Sequence, residues 1–213
     1  MSTFKNADGK SVLLKMVKGI QENKSYLSEV DGLIGDGDHG MNMNKGFSVF
    51  EQRFKDSEIT FTEGLDELGM ILLNEIGGSM GPIYGTIFME AAEKGNELEE
   101  ISLFDLGEIL SAGLEGLREI VDAEVGDKTL VDTLTPAVES LQESAKNGED
   151  YQQALQKMKI AATKGRDSTK EMIAKFGRSS RLGERSRGVL DAGAVSCFII
   201  LNTMAEGIED ILI

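Results

Sequence analysis

A cluster of three aspartates is the clearest sign of chemistry in this chain. Asp31, Asp36 and Asp38 lie within eight residues, and the next basic residue downstream is Lys45. Two carboxylates held about 5 Å apart repel each other by roughly 3 kcal/mol at an effective dielectric constant near 20, so a cation between them is favoured. The chain has one cysteine and one histidine, so oxygen donors dominate and the pattern predicts Mg²⁺ before Ca²⁺ or Zn²⁺. A surface turn rich in aspartate and glycine is the alternative.

Two further segments favour an anionic ligand. Gly77–Pro82 lies between two predicted helices, and its glycines would expose backbone N–H groups at the positive end of a helix. Residues 176–192 show neither helical nor strand periodicity, and long irregular connections in a compact bundle are usually functional or disordered. This second segment contains four of the 22 basic residues, Arg178, Arg181, Arg185 and Arg187. With the aspartates, these segments predict a site for Mg²⁺ and nucleotide phosphates.

Each of these two segments also has a simpler interpretation. Glycine turns between helices are common, and an arginine-rich loop is often solvent-exposed and paired with acidic helices. The glycine segment matches neither the Walker A pattern nor Gly-x-Gly-x-x-Gly, and no strand precedes it, which argues against a P-loop or a Rossmann fold. From the residues alone, the arginine that contacts phosphate stays open.

The acidic composition narrows the function classes. The chain has 213 residues and a formal net charge of −15, which argues against binding to nucleic acid or to an anionic membrane surface. Its length favours a single domain. The N-terminus lacks the apolar run of a signal peptide and no apolar stretch reaches membrane length, so a cytoplasmic protein is expected. Cys197, in an apolar run, is predicted to be a buried core residue.

Hydrophobic periodicity predicts an all-α bundle of about eight helices. Apolar residues recur at spacings of three and four, and no segment shows a sustained alternation with period two. Thr62 is placed to cap a helix that ends near Ile76, and Ser102 with Asp105 predicts a capping box. Another helix begins just after the aspartate cluster. The remaining predicted helices cover residues 9–26, 83–94, 103–121, 131–146, 151–165, 167–175 and 193–209.

Four segments together resemble the DhaL subunit of bacterial dihydroxyacetone kinase. They follow one another over about 160 residues and are Gly35–Met43, Gly77–Gly85, Val125–Asp132 and Gly177–Ser186. The resemblance implies one DhaL-type domain over residues 1–213. It also implies a barrel of eight antiparallel α-helices that binds ADP or ATP at one end through two Mg²⁺ ions.

The resemblance also implies the site residues. Asp31, Asp36 and Asp38 would be the Mg²⁺ ligands. The nucleotide would contact eleven further residues, namely His39, Gly40, Met41, Asn42, Ser79, Met80, Leu130, Arg178, Asp191, Ala192 and Gly193. Within this set the first six would meet the phosphates, Leu130 the adenine, and Arg178 is the arginine selected from the four.

The chain departs from the family pattern close to the nucleotide. The family commonly reads Gly-His-x-Asp-Pro-Gly where this chain has Gly188-Val-Leu-Asp-Ala-Gly193, so Val189 and Ala192 replace a histidine and a proline. Val121 also stands where many members have a glycine. These differences bear on how tightly ADP is held.

The function implied by the resemblance is that of a nucleotide-binding kinase subunit for dihydroxyacetone or a similar short ketose. The sugar would be bound covalently by a histidine of a separate DhaK-type subunit, and a DhaM-type protein of the phosphotransferase system would supply the phosphoryl group. No catalytic side chain is assigned within this chain, and a homodimer is left open. The alternatives are a nucleotide-loaded signalling protein that docks on a transcription regulator and, ranked last, a Mg²⁺-dependent phosphohydrolase.

Overall fold

Eight α-helices make up most of the molecule. The computed structural model describes residues 2–213. The helices are α1 (Lys10–Ile34), α2 (His39–Phe54), α3 (Phe61–Glu75), α4 (Met80–Gly95), α5 (Leu103–Ile120), α6 (Val131–Lys146), α7 (Tyr151–Ser168) and α8 (Ala192–Glu209). The shorter elements are the 3₁₀ segments Asn6–Asp8, Thr169–Glu171 and Arg178–Ser186 and the strands β1 (Thr3–Lys5) and β2 (Glu100–Ser102). The predicted all-α fold is confirmed.

The helices form a closed ring in chain order. Each packs against the next along the chain, and α8 packs against α1 to complete the circle. Most connections are short, so neighbouring helices run in opposite directions. The connections after α1, α3, α5 and α7 therefore all lie at one end of the ring. Those after α5 and α7, residues 121–130 and 169–191, are the longest.

The opposite end of the ring is closed by the chain termini and the two strands. β1 pairs antiparallel with β2. The backbones of Thr3 and Ile213 exchange two hydrogen bonds, 2.9 and 3.1 Å long. The buried Asn6 amide donates to Thr62 Oγ1 at 2.9 Å and to the carbonyl oxygen of Leu98 at 2.8 Å. These contacts seal this end.

Local capping fixes where two of the helices begin. Ser102 and Asp105 form the predicted capping box at the start of α5. At the start of α3 the prediction of Thr62 as the cap was wrong, because Thr60 caps the helix in a box with Glu63. Thr62 is instead buried against Asn6. Either threonine suits a cap, and tertiary contacts decide between them.

Other boundaries differ from the prediction around the long connections. α1 continues to Ile34, well past the predicted end at residue 26, because Leu27, Val30 and Ile34 keep a buried helical face. The predicted helix over 167–175 was wrong, since α7 ends at Ser168 and only one 3₁₀ turn follows. The two short strands were not predicted at all.

The interior of the ring is apolar. Cys197 is buried there as predicted, and burial raises the pKa of its thiol.

No helix within residues 2–213 is both long enough and apolar enough to cross a membrane.

The close packing of α7 on α6 yields a test of the fold. A methyl group added at Gly165 would overlap the carbonyl oxygen of Asp132, whereas one added at Gly107 meets no atom closer than 3.5 Å. We expect Gly165→Ala to lower the free energy of unfolding by about 1–3 kcal/mol through overpacking. Gly107→Ala should raise it by up to about 1 kcal/mol through helix propensity. Urea unfolding measures both changes, and equal effects would contradict this packing.

Candidate metal and nucleotide site

A cavity of about 620 Å³ opens at the end of the ring where the odd-numbered helices finish. All four connections at that end contribute to its lining. Segments that are far apart in sequence meet here because the helices alternate in direction. The fold therefore brings the aspartates, the glycine segment and the arginine segment to one place, as the combined site requires.

The three aspartates form one wall of the cavity. Asp31 lies in the last turn of α1, and Asp36 and Asp38 follow in the connection to α2. Each offers a carboxylate oxygen, and these oxygens all lie within 4.8 Å of one another. Gly37, at φ +76°, makes the turn that returns Asp38 towards Asp31. A donor set made only of carboxylate oxygens fits a hard cation such as Mg²⁺.

Arg178 faces this wall. Its Nη1 contacts Asp36 Oδ2 in an ion pair, and it is the one arginine of its segment that lines the cavity. Arg187 is bonded elsewhere, to the Glu184 carboxylate and the carbonyl oxygen of Glu171. The guanidinium of Arg178 thus lies beside the acidic cluster, and 63% of the side chain is exposed.

Two helix starts point into the cavity. α2 begins at His39, whose backbone N–H donates to Asp31 Oδ2 at 3.3 Å, and Asn42 lines the cavity one turn later. α4 begins at Met80, and its N-cap residue Ser79 makes no capping bond with its side chain. Both starts present positive partial charge to the same space.

Gly40 and Met41 are the two predicted site residues that do not line the cavity. A methyl group added at Gly40 would overlap the carbonyl oxygen of Lys24, so this glycine lets α2 approach α1 closely. The Met41 side chain is exposed on the outer surface. Their backbone N–H groups lie in the first turn of α2, where N–H groups have no partner within the helix.

The other twelve predicted residues all line the cavity. They are Asp31, Asp36, Asp38, His39, Asn42, Ser79, Met80, Leu130, Arg178, Asp191, Ala192 and Gly193.

The chain's one histidine belongs to a buried hydrogen-bond chain. His39 Nε2 lies 2.8 Å from Ser196 Oγ, which lies 2.6 Å from the Tyr84 hydroxyl. Tyr84 is also 3.2 Å from the carbonyl oxygen of Gly193. Burial lowers the pKa of His39 to about 4 and raises the pKa of Tyr84. A neutral imidazole here links α2, α4 and α8 beneath the cavity.

Asp191 fixes the start of α8 at the cavity floor. Its Oδ2 accepts from the N–H of Ala194 at 2.8 Å, and its own N–H donates to Thr169 Oγ1 at 3.1 Å. Burial raises the pKa of this carboxyl group to about 6, although its hydrogen bond and the nearby Lys128 ammonium oppose the shift. Ala192 and Gly193 follow in the first turn of the helix.

The structure adds lining residues that the sequence analysis did not select. Lys128 and Thr129 precede Leu130, and Phe176 precedes Gly177 and Arg178. The segment Val125–Asp132 carried a sequence signal, but only Leu130 was selected from it. Nothing in the sequence distinguishes Phe176 from other aromatic residues.

Comparison with known proteins places the chain. Residues 33–206 match the DAK2 domain. The ADP-binding subunit DhaL of PEP-dependent dihydroxyacetone kinase from Escherichia coli K12 is 38% identical over 183 residues, which cover 84% of this chain and 86% of that protein. For the DhaL subunit of PEP-dependent dihydroxyacetone kinase 1 from Listeria innocua, the identity is 37%, covering 88% of this chain and 89% of the relative.

A solved structure shares the fold. The dihydroxyacetone kinase from C. freundii, in complex with AMP-PNP and Mg²⁺, superposes with a TM-score of 0.71 at 22% identity. The match covers 94% of this chain but only 33% of the C. freundii chain. The chain therefore belongs to the DAK2 domain family and, within it, to the DhaL-type proteins.

Proposed function

We propose that this protein is the nucleotide-binding subunit of a kinase for dihydroxyacetone or a similar short ketose. The observation that carries the proposal is the convergence of Asp31, Asp36 and Asp38 with Arg178 on one cavity of about 620 Å³. Phosphoryl transfer requires carboxylates that bind a metal ion and, next to them, a positively charged side chain that binds phosphate. The names of the two DhaL relatives, both ADP-binding subunits, support it.

Each wall of the cavity has a part in the proposal. The three aspartates would hold two Mg²⁺ ions, which neutralise phosphate charge when bound. The starts of α2 and α4 would donate backbone N–H groups to the phosphates, with Arg178 on the far side. Leu130 and the start of α8 would meet the nucleoside of ADP or ATP.

The sugar would be held by another protein. The resemblance to DhaL implies that a histidine holds the ketose covalently, and His39 does not fit that role because it is only 7% exposed with its ring bonded to Ser196. The acceptor is therefore assigned to a DhaK-type subunit that docks at the open end of the cavity. A DhaM-type phosphoryl donor and a cytoplasmic location belong to the same proposal.

Loss of one metal ligand should abolish phosphoryl transfer. We expect Asp36→Asn to lower activity by at least about 100-fold, since even changes to residues behind a metal ligand cost about 10–100-fold. The assay combines the purified protein with its DhaK-type subunit, the phosphoryl donor and dihydroxyacetone. Asp66→Asn, the same change at an exposed position of α3, is the matched control. Full activity of Asp36→Asn would contradict the metal assignment.

Native mass spectrometry before and after chelation tests nucleotide retention. We expect added mass that corresponds to ADP and Mg²⁺, and we expect EDTA to remove it because the carboxylates can hold the phosphates only through the cation. A bare chain that gains ADP when Mg²⁺ is supplied would instead indicate an exchangeable nucleotide. A chain that gains no nucleotide under either condition would overturn the proposal.

A further inference from the structure

Lys128 is a buried lysine beside the cavity. The residue is 1% exposed, and its Nζ donates hydrogen bonds to the carbonyl oxygens of Thr169 and Val189. Burial of an ammonium group is costly unless the charge is bonded and compensated. The two hydrogen bonds to carbonyl oxygens supply part of that compensation.

The backbone at Lys128 is also strained. Its φ is +63°, a left-handed value that no other residue except glycine adopts in the part of the chain that the structure describes. The Asp132 carboxylate holds this turn, accepting from the N–H of Gly126 at 2.6 Å and of Thr129 at 2.7 Å. Strain of this kind persists only when neighbouring contacts determine the conformation, and it concentrates at functional sites.

The two carbonyl groups bonded by Lys128 flank the long connection between α7 and α8. Thr169 lies at its beginning and Val189 near its end, and between them Phe176 and Arg178 line the cavity. Thr129 and Leu130, which directly follow Lys128, line another wall of the cavity. One ammonium group therefore joins two walls of the cavity.

Further bonds join the same two segments, among them the one from the N–H of Lys175 to the carbonyl oxygen of Asp127 at 3.2 Å. Lys175 Nζ pairs with Asp127 Oδ1 at 2.5 Å, yet this lysine is 65% exposed. The N–H of Gly188 donates to the carbonyl oxygen of Lys170 at 2.7 Å, within the connection itself. The ammonium of Lys128 is thus the buried charged link between the two walls.

The same geometry argues against direct contact with a phosphate. Lys128 borders the cavity, but its side chain is 1% exposed and its ammonium is bonded to two carbonyl oxygens, so the ammonium is not available to a phosphate. Burial lowers the pKa of Lys128, while the carboxylates of Asp191 and Asp132 oppose that shift. The ammonium is held between negative groups of the protein.

We propose that Lys128 is a positioning residue that locks the wall carrying Phe176 and Arg178 against the wall carrying Thr129 and Leu130. The lock holds the α7–α8 connection in place as a wall of the cavity and so sets how slowly a bound nucleotide leaves. The effect on the nucleotide depends on the function proposed above. The lock itself follows from the two bonds and can be measured without ligand.

Two substitutions separate the ammonium from the backbone strain. Lys128→Met keeps the side-chain volume and the strain but removes the charge, whereas Lys128→Gly also relieves the strain. We expect both to raise hydrogen exchange of the amides in residues 169–191 without ligand. With Mg²⁺ and a fluorescent ADP analogue, both should raise the nucleotide dissociation rate by at least about 10-fold, because the charged hydrogen bonds that hold the connection in place are lost. Lys164→Met, at an exposed position of α7, is the matched control.

The outcomes are distinct. Faster local exchange with no nucleotide binding, even in the unmodified protein, would confirm the lock and refute the proposed function. Unchanged exchange and an unchanged dissociation rate in both folded variants would overturn the positioning role. Exchange that rises throughout the ring would also overturn it, because the residue would then support the whole fold. If Lys128→Met raised exchange and dissociation but Lys128→Gly behaved like the unmodified protein, the effect would come from backbone strain, and the role of the ammonium would be refuted.

Discussion

Closure of the helix ring is the constraint on which the site depends. α8 completes the ring by packing on α1, and two glycines allow the close approach: methyl groups added at Gly207 and Gly19 would lie 2.8 Å from Val12 Cα and 2.6 Å from Thr203 Cγ2. With the ring closed and its helices alternating in direction, four connections must share one end. Asp36 on the connection after α1 and Arg178 on the connection after α7 are thereby brought into contact.

Charge balance explains the composition of that end. The protein carries a net charge of −15, and three carboxylates lie together with oxygens within 4.8 Å of one another, so they repel each other. Arg178 offsets part of their repulsion by pairing with Asp36, and the starts of α2 and α4 add positive partial charge. A magnesium nucleotide supplies cations to the carboxylates and an anion to the arginine, so it suits both halves of the cavity in a way that neither a free cation nor a free phosphate does.

Sequence patterns predicted the features that depend on residue spacing and local propensity. The capping box at Ser102, the buried Cys197 and the helical class depend on spacing and propensity, and all were confirmed. The position of Asp31 on a helix was missed because α1 is extended by burial that only the ring provides. Lys128 was missed for a similar reason. A lysine normally indicates a surface, and both its burial and its left-handed backbone are consequences of tertiary contacts.

The lock at Lys128 also bears on how this chain differs from the DhaL pattern. A valine stands at position 189, where the resemblance to DhaL implies a histidine close to the nucleotide. This difference is therefore expected to affect how tightly ADP is held. Lys128, however, bonds the carbonyl oxygen of Val189, and every residue type at this position provides that acceptor. The wall is thus tied through the backbone, and a different side chain leaves the tie in place. Substitutions at position 189 can therefore change the side chain that a nucleotide or a partner would meet there, while the hydrogen bond from Lys128 still holds the connection between α7 and α8 in place.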